Sequence, residues 1–193
     1  MLKKLLCGVT MLSCAFPALA QWELDNAHSS IYFISIKNNA VAETHHFGGL
    51  VGYIGEDGQV SLTIDLNSAE TMIPIRNERL REMLFDTATF PTATVSAKVD
   101  PAILDEVGKG ATITTEVPVT LSLHGLEQTI SAPLTVFSDG ASMRAMTSQP
   151  LIIKAGDFGL DGGIEALREV AGLKAISTAV PVSLNLSFKE AAK

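Results

Sequence analysis

Strict alternation of apolar and polar residues runs through most of this chain, and no other feature limits its fold as tightly. Val60, Leu62, Ile64 and Leu66 alternate with Ser61, Thr63 and Asp65. Ala93, Val95, Ala97 and Val99 alternate with Thr94, Ser96 and Lys98. A longer run sets Ile113, Val117, Val119, Leu121 and Leu123 against Thr114, Glu116, Thr120 and Ser122. Ile130, Ala132, Leu134 and Val136 follow, and Val180, Val182, Leu184, Leu186 and Phe188 face away from Ser183, Asn185 and Ser187 near the C-terminus. Successive side chains of a strand point to opposite faces, so each run is a strand with one dry and one wet face. That pattern marks antiparallel sheets.

Turn residues punctuate the runs: Gly55-Glu56-Asp57-Gly58, Val107-Gly108-Lys109-Gly110, His124-Gly125 and Ser138-Asp139-Gly140. Further strands over residues 22–24, 31–37, 48–54 and 143–154 bring the total to about eight or nine. Residues 31–37 are apolar on both faces, with Ile31 and Phe33 opposing Tyr32, Ile34 and Ile36, so something besides the main core must cover the second face. Two stretches break the alternation. Residues 74–85 read as a helix, with Pro74 at the start and Leu80, Met83 and Leu84 at helical spacing. Residues 162–172 repeat the pattern with Ile164, Leu167, Val170 and Ala171 before a terminating Gly172. Two short helices cannot cover both faces of an open sheet. The expected fold is all-β: a closed antiparallel barrel of about eight strands, which removes the sheet edges, with one or two short helices at its ends.

An eight-stranded barrel is just wide enough to be filled by side chains or to hold one small ligand. The inward phase is mainly Val, Ala, Leu and Ile, with few aromatic rings. Periodicity alone leaves a hollow interior and a filled core equally open.

The N-terminus reads as an export signal. Lys3 and Lys4 precede a short apolar stretch from Leu5 to Phe16, and Ala18-Leu19-Ala20 supplies a small-x-small cleavage site. About twelve apolar residues are too few to cross a ~30 Å hydrocarbon core. The expected organisation is a signal peptide over residues 1–20 and one domain over residues 21–193. Removing the signal removes both cysteines, Cys7 and Cys14, and with them any disulfide, thiol nucleophile or thiolate metal ligand. It also removes two lysines and no acids, moving the formal charge from -7 to -9. That balance argues against nucleic acid or an anionic membrane surface as partner.

Several segments, taken in order, carry a family resemblance. Trp22-Glu23-Leu24-Asp25-Asn26-Ala27-His28-Ser29-Ser30-Ile31-Tyr32-Phe33 resembles the opening strand of the YceI-like proteins. Asn77-Glu78-Arg79-Leu80-Arg81-Glu82-Met83-Leu84-Phe85-Asp86, followed by Phe90-Pro91, resembles their most characteristic segment. His124-Gly125 and Asp157-Phe158-Gly159 then occur in the matching order, so the resemblance spans the whole mature chain. It implies a periplasmic, lipocalin-like, polyisoprenoid-binding barrel. An apolar tunnel would hold a quinone or prenyl phosphate. Separately, no stable membrane insertion is expected, and no cofactor beyond the bound lipid. Two departures lie where a tunnel mouth would be. Asn38 stands where many members carry a histidine, and residues 162–172 look longer and more helical than a simple loop.

Constellations for catalysis are missing from the pattern. No G-x-S-x-G elbow, glycine-rich phosphate loop or HExxH spacing occurs. His45 and His46 are adjacent, so on a strand they point to opposite faces and cannot share one metal ion. His28 and His124 are expected to hydrogen-bond backbone at a strand end or turn. The reading is a carrier without enzymatic activity. The alternatives kept are an interaction or stress-response module with a filled barrel and a His-dependent metalloenzyme. The expected ligand-contacting residues are Phe33, Phe47, Arg76, Arg79, Leu80, Met83, Leu84, Phe85, Phe90, Phe158 and Leu160, because residues on or beside lids meet whatever enters. Arg76, Arg79 and Arg81 are three of the mature chain's five arginines. Their guanidinium forks suit phosphate or carbonyl oxygens, and interleaved Glu78 and Glu82 equally allow an ordinary solvated face. Nothing in the sequence reads out oligomeric state, and a homodimer stays open.

Overall fold

The computed structural model describes residues 20–139 and 142–191. The expected signal peptide lies outside them but for the backbone of Ala20, as does Gly140 of the Ser138-Asp139-Gly140 turn signal. Twelve strands form one antiparallel sheet: β1 Ala20–Leu24, β2 Ser30–Lys37, β3 Val41–Phe47, β4 Leu50–Gly55, β5 Gln59–Asp65, β6 Ala69–Glu70, β7 Thr92–Lys98, β8 Ile113–Leu123, β9 Leu126–Ser138, β10 Met143–Thr147, β11 Leu151–Lys154 and β12 Ala179–Glu190. Three helices interrupt them: α1 Pro74–Arg79, α2 Pro101–Gly108 and α3 Asp161–Val170.

Eight of these strands close a ring. β1 pairs with β4 on one side and with β12 on the other, completing the order β1-β4-β5-β7-β8-β9-β10-β12. β12 is long enough to serve two partners at each level. Its C-terminal half pairs with β1 and β10, and its N-terminal half continues past the ring to pair with β2 and β11. β2, β3 and β6 extend this upper sheet. The result is a lipocalin-like barrel with a flap of sheet rising from one rim.

Two breaks create the flap, and one side chain couples them. Between β1 and β2 the chain makes a short helical turn, Asn26–His28, capped by the Asp25 carboxylate. Between β3 and β4 it passes through Gly48-Gly49. Asn26 donates to the Gly48 carbonyl at 3.0 Å and accepts from the Leu50 amide at 2.9 Å, pinning one break against the other. Elsewhere the turns follow their residues. His124 and Gly125, at φ of 52° and 77°, make the two-residue turn that keeps the twist of the long β8–β9 hairpin.

Three elements escape the sequence reading: α2, β3 and the two-residue β6. Residues 107–110 read only as a turn, yet α2 precedes it. The Asp100 side chain caps its first turn, Pro101 starts it, and Leu104 and Val107 are buried. Strand β3 also goes unread, because Ala42, Thr44 and Glu43 dilute its alternation.

Candidate ligand cavity

The dry faces of the strands do not meet. A cavity of about 580 Å³ runs through the barrel, within the usual size of ligand pockets. Its wall is the apolar phase of the alternating runs, from Val60 and Leu62 on β5 through Ala97 on β7 to Val182 and Leu184 on β12. Many inward residues of β7, β8, β9 and β12, such as Ala97, Leu121, Leu134 and Leu184, are only half-buried although they face away from solvent. They border empty space. A filled core is therefore excluded.

The two ends differ. At one, α2 contributes Ile103 and Leu104 to the lining, and the wall there is apolar. At the other, the cavity continues between the flap and the segment of α1 and α3. Pro74 starts α1 after the extended Ile73, and buried Asn77 fastens the helix back: its Oδ1 accepts from the Thr71 amide at 2.8 Å and its Nδ2 donates to Glu70 at 3.0 Å. The chain then widens into a π-turn over Leu80–Leu84, with the Phe85 amide donating to the Leu80 carbonyl at 2.9 Å. Such insertions re-aim side chains. Here Leu80, Leu84 and Phe85 all face the cavity.

Polar groups gather at this second end because β2 and β3 change chemistry along their inner faces. On β2 the inward series is Ile31, Phe33, Ser35, Lys37, and on β3 it is Phe47, His45, Glu43. His45, only 3 % exposed, shares a 2.8 Å hydrogen bond between its Nε2 and the Ser35 hydroxyl. Its Nδ1 is buried with no partner among the described residues. Glu43 takes Lys37 at 2.7 Å and Arg76 at 2.9 Å on the same oxygen. Arg76 also donates to the Thr71 carbonyl at 2.5 Å, while its Nε is buried with no partner among the described residues. Burial first, then the Arg76 guanidinium, holds the His45 imidazole below its ordinary pKa. Hydrogen bonding from Lys37, helped by Arg76, keeps the Glu43 carboxyl below its own. A neutral imidazole and a doubly paired carboxylate thus face the greasy channel. Arg79 also lines the cavity and forms no ion pair among the described residues.

Of the residues expected to touch ligand, Phe33, Phe47, Arg76, Arg79, Leu80, Leu84, Phe85 and Leu160 line the cavity. Met83, Phe90 and Phe158 do not. Met83 sits where its carbonyl packs against Gly163 of α3. Phe90 covers the β8–β9 turn, its ring 4.6 Å from that of His124. Phe158, 1 % exposed, is core packing beneath the turn that leads into α3. The sequence reading missed Ser35, Lys37, Glu43, His45 and Thr71. The available signal was parity: once residue 47 faces inward on a strand, residues 45 and 43 must follow. His45 faces in and His46 out, against Tyr32, as adjacent strand positions require. His28 differs from expectation, pairing with the Asp25 carboxylate at 2.9 Å rather than with backbone. Among the described residues no three His, Asp or Glu side chains converge as metal ligands would. No described helix is long and apolar enough to cross a membrane.

A YceI-like domain model matches residues 22–188. The chain belongs to the YceI-like family. Among solved structures it is similar to a polyisoprenoid-binding domain from Saccharophagus degradans, at 40% identity and a TM-score of 0.86, covering 89% of this chain and 99% of that one. It also resembles BcnA from Burkholderia cenocepacia, at 20% identity and a TM-score of 0.66, covering 85% and 98%. A YceI protein from Campylobacter jejuni matches at 13% identity and a TM-score of 0.52 over the full length of both chains. The last two likenesses speak for the fold alone. No curated protein matches the chain.

Proposed function

We propose that this YceI-like protein is a non-catalytic periplasmic carrier that holds one polyisoprenoid-type lipid, a quinone or a prenyl phosphate, in the barrel interior. The observation that carries the reading is the hollow channel. It is apolar along its length, polar at one end, and built from the inward phase of the strands. A long chain with a single polar end has that same distribution. Burying it would contribute about 0.8 kcal/mol per methylene-sized unit, so tight binding needs few polar contacts. The tail would lie against residues such as Phe33, Leu80, Leu84 and Leu160, with its head among His45, Arg76 and Arg79. The 40% identical polyisoprenoid-binding domain supports this ligand class. The export signal read over residues 1–20 supports the compartment.

The test is to fill the channel. Ala97 and Ala145 line it and are only half-buried. Ala97→Phe and Ala145→Phe should leave the fold intact and weaken binding of an isoprenoid quinone at least tenfold in a titration. Undiminished binding by both variants would place the lipid elsewhere.

A further inference from the structure

The apolar surface of this protein does not stop at the mouth of its cavity. Ile73 and Ile75 line the channel and are also 43% and 51% exposed, so one continuous greasy surface runs from outside to inside. Beside them Met72 is 84% exposed, held out at a φ of 61° on the turn into α1. The ion pair of Arg76 with Glu43 ties the start of α1 to β3. Val41, paired in register with Lys37 at the hairpin end of β3, shares the inward parity of Glu43 and His45 and is half-exposed. On the α3 side, Val170 is exposed where Leu167 and Ala171 line the cavity. Loose apolar residues are ordinary on a protein surface, but a contiguous rim around a pocket marks a contact site.

We infer that this rim docks on the surface of a zwitterionic phospholipid bilayer, so that the channel opens onto the membrane rather than onto water. Two observations choose this occupant. A protein partner or second copy seated on Met72, Ile73 and Ile75 would cap the channel they lead into, whereas a bilayer offers more of the same phase. The residues that project from the rim, Met72, Ile73, Ile75, Val41 and Val170, carry no charge, so the contact is apolar and persists at high salt. A formal charge of -9 after signal removal gives no general pull toward an anionic surface. The choice of lipid over protein rests on the carrier reading. The flotation below does not, because it registers membrane contact whether or not the channel holds a ligand.

Co-flotation of the mature protein with phosphatidylcholine/phosphatidylethanolamine vesicles tests the docking. Met72→Asn/Val170→Asn is the informative variant, since neither side chain lines the channel and asparagine tolerates positive φ at residue 72. Wild-type protein should float at low and high salt. The double variant should lose at least five-sixths of the bound fraction while still binding an isoprenoid quinone in detergent. Val51→Asn, on an exposed apolar residue of β4 outside the cavity lining, should behave as wild type. The inference is overturned if wild-type protein stays with the aqueous fraction, or if Val51→Asn loses binding as the double variant does. It is equally overturned if vesicle-free sizing shows a dimer that the double variant breaks.

Discussion

Burial disfavours a charged His45, and protonating it would add a further positive charge beside Arg76 and Lys37. The fold answers by keeping the ring neutral, so its folded pKa lies below the ordinary 6.5. As pH falls through that value the unfolded chain takes up the proton first. The stability contributed is therefore complete above 6.5 and is lost as pH falls toward the folded pKa. One group can give a slope no steeper than about 1.4 kcal/mol per pH unit. Urea unfolding of wild type and His45→Gln between pH 7 and pH 5 should show this slope in the first and a shallower one in the second. Equal slopes would assign the effect elsewhere. Glu43 follows at lower pH with the same sense, its stabilising contribution present above 4.5 and lost below as its carboxyl protonates. The two arginines divide by their partners. Arg76 is committed to Glu43 and the Thr71 carbonyl, so it shapes the site. Arg79 forms no ion pair among the described residues, and Arg79→Gln should weaken a polyprenyl phosphate roughly tenfold, the worth of one charge-assisted hydrogen bond, while leaving a polyprenol unchanged. Matching losses for both lipids would remove Arg79 from head-group recognition. Residue types alone pointed to the arginine cluster. They could not separate these roles, because the separating carboxylate lies 33 residues away on β3.

At the scale of elements, the lid over the polar end depends on a close approach between α3 and the π-turn. A Cβ built on Gly163 would lie 2.6 Å from the Met83 carbonyl oxygen and 2.9 Å from the Leu84 Cα. Backbone gives way poorly, so Gly163→Ala should cost about 1–3 kcal/mol and pry the lid from its seat. Its neighbour Gly162 has nothing within 4 Å of the same position. Gly162→Ala should be neutral or stabilising by up to about 1 kcal/mol, since it only adds a better helix former. Thermal unfolding of the two variants checks the contrast, and similar shifts would show that α3 is loosely seated. These helices were legible where proline, glycine and apolar spacing agreed, as in Pro74 with Leu80 and Leu84, or Ile164 with Leu167. Helix α2 was hidden because only Leu104 and Val107 are buried, too few to outweigh the glycines after them. The interruption at Asn26 and Gly48 was hidden for another reason: a local sequence cannot announce that two distant breaks clamp each other.

For the whole molecule, alternation specified the barrel but not its emptiness. Period two says which side chains point inward. Whether Ala97, Leu121 and Leu184 meet across the middle depends on ring closure and strand tilt, which are long-range properties. The same holds for the polarity of one end. Ser35, Glu43 and His45 come together only because β2 and β3 run past the ring before turning back. The most direct test of the carrier account is native mass spectrometry of the protein isolated from its own cells, followed by organic extraction. The account predicts one isoprenoid chain per barrel, absent from Ala97→Phe. A wild-type barrel that carries no lipid, and that takes up none when an isoprenoid quinone is supplied, would contradict it.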